Sequence, residues 1–148
     1  MKKYVLTGII LIGLGFHLGN TLFNTKANIL EIGKKKNEFY FLQEGVYSSK
    51  ESVNSNMKHL SSKIIKKENE KYHVYVGITK DKNIAEKLKN IFQKKGYQII
   101  IKEKEKASAE FSANVEQFDL LIKATDDEDE ILTIEEVVLA NYEESIKK

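Results

Sequence analysis

The sequence has no cysteine, which excludes a disulfide framework and a thiolate metal site and is compatible with either side of a membrane. It has no arginine either: its 24 basic side chains are all lysines, which lack the planar fork that reads guanine or clamps phosphates. A basic surplus is also missing, since 22 Asp plus Glu leave a net charge of +2, so nothing marks the chain as a nucleic-acid binder. The absence of proline, together with the all-lysine usage, points to an AT-rich coding bias and carries no mechanism. Charge is absent from one stretch altogether. Tyr4–Thr25 has no charged side chain, although charged residues make up 31% of the sequence, and that split argues against a purely soluble single globule.

At 1.5 Å rise per residue, the roughly 20 residues of Tyr4–Phe23 are long enough to cross a hydrocarbon core of about 30 Å. A cleaved signal peptide also begins with a basic segment such as Lys2-Lys3, but the run is longer than a signal core and the following NTKANIL is a poor cleavage site. Residues 1–25 are therefore expected to form an N-terminal transmembrane helix. Within it, Gly15 and Gly19 have GxxxG spacing, and His17 has no second ionisable group beside it, which suits a helix–helix hydrogen bond or an interfacial place. Lysines flank both ends, so charge does not set the orientation. Residues 26–37, with the Lys34-Lys35-Lys36 cluster, read as a juxtamembrane linker.

Catalytic chemistry has no visible carrier. There is no HExxH, no Gly-rich phosphate loop and no Cys; His59 and His73 are isolated, and no carboxylate sits in an apolar sequence context that would raise its pKa. The expectation is a non-enzyme without a cofactor or a metal.

From Glu38 the pattern becomes periodic. Tyr40-x-Leu42-x-x-Gly45 aligns with Tyr72-x-Val74-x-x-Gly77 at an offset of 32, and Val53 and Leu60 align with Ala85 and Phe92, as in a tandem βα pseudo-repeat. Strands are expected at Glu38–Glu44, Lys63–Lys67, Tyr72–Gly77 and Tyr97–Lys102. Helices are expected at Ser48–Lys63, capped by Ser48 or Ser49, and from Asp81 to near Gly96. The order is β-α-β-β-α-β, with both helices on one face of a small antiparallel sheet. Alternation puts Tyr40, Leu42, Tyr72, Val74 and Val76 on the helix-covered face and Phe41, Gln43, His73 and Tyr75 on the other. That second face suits a sugar-like ligand by stacking and amide hydrogen bonds, or plain solvation, or cover by another segment.

The phrase Leu42-Gln43-Glu44-Gly45-Val46-Tyr47 followed by SSKESV, then His73-Val74-Tyr75-Val76-Gly77 and Asp81-Lys82-Asn83-Ile84-Ala85, resembles the SPOR (sporulation-related repeat) domain family over about Glu38–Glu103. His73 stands where that family commonly has Arg, and Val46 where it commonly has Ser. The resemblance implies a ferredoxin-like βαββαβ domain, extracytoplasmic and tethered by one membrane helix. It further implies binding of peptidoglycan, in particular glycan strands stripped of stem peptides at division or sporulation septa. Gln43 carries over as the strand glutamine of the glycan-facing surface, with Phe41, His73 and Tyr75 beside it.

Past the SPOR-like domain (38–105) the extension 106–148 adds Ala109–Ala124, with Phe111, Val115, Phe118 and Ile122 at helical spacing. The acidic TDDEDE lacks the Gly and the terminal Glu of an EF-hand loop and reads as helix capping. Thr133 and Glu136 suggest a capping box for a last helix bearing Ile134, Val137, Val138 and Tyr142. The overall expectation is an α+β chain: an anchor, a SPOR-like domain and a C-terminal helical hairpin. The hairpin's apolar stripe has three candidate destinations: the domain itself, a second copy, or an envelope protein that it recruits without any glycan affinity. If it covered the sheet face, it would close the glycan site.

Overall fold

The computed structural model describes residues 38–104 and 107–147. The expected anchor, with Gly15, His17 and Gly19, and the linker 26–37 lie outside the described residues. Among the described residues, no helix is long and apolar enough to cross a membrane.

The elements run β1 (Phe39–Tyr47), α1 (Lys50–Asn56), β2 (Ile64–Glu68), β3 (Lys71–Thr79), α2 (Lys82–Lys94), β4 (Ile100–Lys104), α3 (Ala109–Lys123) and α4 (Glu128–Lys147). The four strands form one antiparallel sheet in the order β2-β3-β1-β4, so the described residues make a mixed α+β fold with four helices. The strands of the pseudo-repeat are the two central ones, and their ladder shifts register twice, leaving Val76 of β3 and Glu44 of β1 unpaired.

Two helices differ from expectation. Ser49 caps α1, its Oγ accepting from the Ser52 N–H at 3.1 Å, but the helix closes at Met57 instead of reaching Lys63. Its Ser52-Val53-Asn54-Ser55-Asn56 run competes with the helical backbone, as when Asn56 Nδ2 donates to the Ser52 carbonyl at 2.8 Å. Leu60 therefore lies beyond α1, whereas its counterpart Phe92 lies within α2. In α4 the start is earlier than the Thr133 box: Asp127 Oδ1 accepts from the Asp129 and Glu130 N–H groups at 2.9 and 3.0 Å, and Thr133 Oγ1 donates within the helix to the Asp129 carbonyl. Three acidic residues in the first turn favour that start through the helix dipole.

The other boundaries follow local chemistry. Asp81 caps α2 through Asn83 and Ile84 N–H, and Gly96 at φ +92° ends it. There the Gly96 N–H donates to the Gln93 carbonyl and the Tyr97 N–H to the Phe92 carbonyl, both at 3.0 Å, with the Phe92 and Tyr97 rings 6.3 Å apart. This is a Schellman ending with its apolar contact. The β2–β3 turn holds Asn69 at φ 49° and Glu70 at φ 61°, the pattern of a type I′ hairpin, whose second central position favours glycine. Glu70→Gly is accordingly expected to stabilise the protein by about 0.5–1 kcal/mol. A lower urea midpoint in the variant would contradict this.

Helices cover both faces of the sheet. On one side α1 and α2 enclose Leu42, Val53, Val74, Ala85 and Leu88, none of them exposed. Tyr40 and Tyr72, expected in this core, are only half-buried. On the other side Phe111 and Val115 of α3 and Val138, Leu139 and Tyr142 of α4 pack with Phe39, Phe41, Ile64, Tyr75 and Ile78. Charge follows the same division: residues 38–104 carry 14 Lys and 8 Asp or Glu, whereas residues 107–147 carry 2 Lys and 12 Asp or Glu. Lys80–Glu116, Lys87–Asp126, Lys94–Glu128 and Asp81–Lys123 pairs fasten the two parts at 2.5–3.0 Å. Being largely exposed, these pairs set orientation more than stability.

Candidate functional site

Phe41, Gln43, His73 and Tyr75 do share one face of the sheet, since Gln43 pairs with Tyr75 across the β1–β3 ladder and His73 Nδ1 donates to Gln43 Oε1 at 3.2 Å. The His73 and Tyr75 rings stack at 6.4 Å with 16° between planes. This face is not open. Phe41, Tyr75 and Gln43 are 1%, 2% and 6% exposed, and α3 and α4 lie over Phe41 and Tyr75. The Phe41 ring meets Tyr75 and Tyr142 edge-on at 5.5 and 5.4 Å, and Phe39 stacks with Phe111 at 5.7 Å. Lys104 Nζ donates to Tyr75 Oη at 2.7 Å while lying 4.3 Å from its ring centroid, which takes up the polar end of the tyrosine. Stacking by an external sugar on Phe41 or Tyr75 therefore requires the hairpin to move. His73 alone of the four remains partly accessible, beside the exposed Val46 of β1.

Two acidic residues of the hairpin complete the docking. β2 ends opposite Tyr75, so the farther amides on that side of β3 have no strand partner. Glu135 Oε2 accepts from the Ile78 N–H at 3.0 Å, and Asp119 Oδ2 from the Lys80 N–H at 2.9 Å. Asp119 Oδ1 also accepts from Thr79 Oγ1 at 2.6 Å. Side-chain carboxylates thus replace a neighbouring strand. Each is kept from water: burial pushes Asp119 up to about 6, against the hydrogen bonds from Thr79 and Lys80, and pushes Glu135 up to about 8, aided by the charge of Asp119. Glu135 is 1% exposed and its Oε1 has no hydrogen-bond partner.

Neither residue stands out in the sequence, where a glutamate in Thr133-Ile134-Glu135-Glu136 looks like one more surface acid. The signal available was positional: Glu135 falls on the same helical face as Ile131, Val138 and Tyr142. Hydrogen bonding of Asp127 within α4 gives the acidic run its capping role. No family model matches this chain, and neither a curated protein nor a solved structure matches it.

Proposed function

We propose that the chain is a membrane-tethered, non-catalytic protein of the cell envelope, with a ferredoxin-like, SPOR-like domain that serves as a structural and interaction module and not as an open glycan reader. The observation that carries this reading is the burial of Phe41 and Tyr75 beneath the protein's own C-terminal helices. The charge-free run Tyr4–Thr25 and the short lysine-rich linker after it support a membrane anchor, and the SPOR resemblance implies that it holds the domain outside the cytoplasm. With its apolar stripe engaged on the sheet, the hairpin offers a partner its outer surface, where Leu120, Val137 and Ile146 are exposed among acidic side chains. A lysine-rich partner protein suits that surface.

Peptidoglycan binding is the second reading. It is favoured by the motif order around Gln43 and by the partly accessible His73 at the end of the same face, which lies opposite exposed Val46 and bonds Gln43. Sedimentation of the soluble fragment Asn37–Lys148 with purified sacculi, before and after an amidase removes the stem peptides, separates the two. The module reading expects no pelleting of the folded fragment in either case. Pelleting that rises after amidase treatment and falls in Gln43→Ala would replace it with glycan recognition.

A further inference from the structure

A cavity of about 210 Å³ lies between α2, α4 and the segment joining α1 to β2. Its lining is mostly polar: His59, Ser61, Ser62, Lys95, Tyr97 and Glu136 stand round it, and Glu135 borders it from α4. The space is several times the roughly 30 Å³ that one water takes up in the liquid, so a carboxylate and some hydration fit there. The carboxyl group of Glu135 does not use it. Its Oε2 accepts from the Ile78 N–H at 3.0 Å and lies over the bare Cα of Gly77, where an added Cβ would stand 3.4 Å from that oxygen, 3.3 Å from Leu42 and 3.6 Å from Leu88. Its Oε1 is sealed in, closed off from the cavity and without a partner. One side chain thus sits in an apolar seat with a single hydrogen bond while a polar space beside it stays unfilled, and a buried polar atom left in that state asks for a reason.

We propose that Glu135 is a two-position latch between α4 and the sheet: protonated, it holds the Ile78 amide at the edge of β3; ionised, it swings into the neighbouring cavity and lets that amide go. The charges on each side set the direction. In the seat, burial dominates and the negative field of Asp119 on α3 adds to it, so that against the Ile78 hydrogen bond the proton is kept up to about pH 8. In the cavity the facing cation is Lys95 at the end of α2, and the facing anion is Glu136, which already accepts from Ser61 Oγ. His59, Ser62 and Tyr97 are the remaining polar neighbours. A carboxylate is better solvated among these groups than under Leu42 and Leu88, whereas the acid form gains little by leaving. Changes of side-chain rotamer are all that the move requires. Proton loss favours the released position, so the latch opens as pH rises through about 8. Val138, Leu139 and Tyr142 lie on the following turns of α4, so opening loosens the cover over Phe41 and Tyr75 from this end.

NMR of the full chain in detergent micelles, titrated from about pH 7 to about pH 9.5, tests this through the Glu135 carboxyl carbon and the backbone amides. The Ile78 amide proton is expected to move upfield and to exchange faster with water, with the same midpoint as the Glu135 carboxyl carbon, and the α4 amides from Glu135 to Leu139 should shift with it. The Lys80 amide, held by Asp119, should stay in place, as should Leu42 and Val74 in the sheet. Glu135→Gln should abolish the step at Ile78. Lys95→Met, at an exposed position that leaves the seat untouched, should raise the midpoint by about 0.3–0.5 pH unit by removing the cation that receives the carboxylate. An Ile78 amide that stays fixed while the carboxyl carbon titrates overturns the latch. So does a change shared by Leu42 and Val74, which would mean general unfolding, or a midpoint that Lys95→Met leaves where it was.

Discussion

Glu135→Gln will lose most of the wild-type dependence of stability on pH between about 4.5 and 8, and by about pH 9 will be the more stable protein. In the unfolded chain this carboxyl titrates near its ordinary 4.5, whereas burial raises it to about 8 in the folded one. Across that window the unfolded chain holds fewer protons, so wild-type stability falls as pH rises and levels off above the folded value. The contribution is on the order of 3–5 kcal/mol, a large part of the total for a domain of this size. Glutamine does not titrate, yet its amide places unpaired donors where Oε1 was, so the variant starts no better than wild type near pH 5 and overtakes it later. Asp119 acts with the same sign from about 3.8 to about 6 and should persist in the variant. Urea midpoints from pH 4 to pH 9 measure both profiles; parallel curves for the two proteins would show that Glu135 ionises freely in the folded state.

Phe41→Ala should cost about 3–5 kcal/mol, enough to remove the cooperative transition under mild conditions. The ring is 1% exposed and touches three other aromatic rings, Phe39 at 6.5 Å, Tyr75 at 5.5 Å and Tyr142 at 5.4 Å, so its loss opens a cavity where sheet and hairpin meet. Lys104 Nζ, 5.2 Å from the ring centroid, loses one of the two aromatic faces it lies against. Val46→Ala on the same strand, at an exposed position, should change stability by no more than about 0.5 kcal/mol. If equilibrium denaturation placed Phe41→Ala within about 1 kcal/mol of wild type, the hairpin would contribute little to the fold.

The order of the strands and the core face of α2 were legible because Ile84, Leu88, Ile91 and Phe92 repeat at helical spacing and Tyr72–Gly77 alternates. The end of α1 was not, because Val53, Met57 and Leu60 keep helical spacing after Asn56 has turned the backbone, and Met57 is buried from outside the helix. Alternation did bring out the shared face, since Phe41, Gln43, His73 and Tyr75 lie together, while Val76 falls at a register shift that alternation does not foresee. What alternation could not supply is the cover, since a strand pattern states which way a side chain points and not what meets it there. Packing of the hairpin on this sheet was one of three destinations open to its apolar stripe. The charge contrast between residues 38–104 and 107–147 favours that one.

The shortness of β2 has a consequence for solubility. Past Ile64, the outer amides of β3 would form a bare strand edge, a template onto which a strand from another molecule could add. Glu135 and Asp119 occupy those amides with side chains, and no incoming backbone can displace them without burying a carboxylate against its own carbonyl oxygens. The pair that docks the hairpin therefore also guards this stretch of the sheet against edge-to-edge assembly, and substitutions that weaken it carry an aggregation hazard beyond their loss of stability.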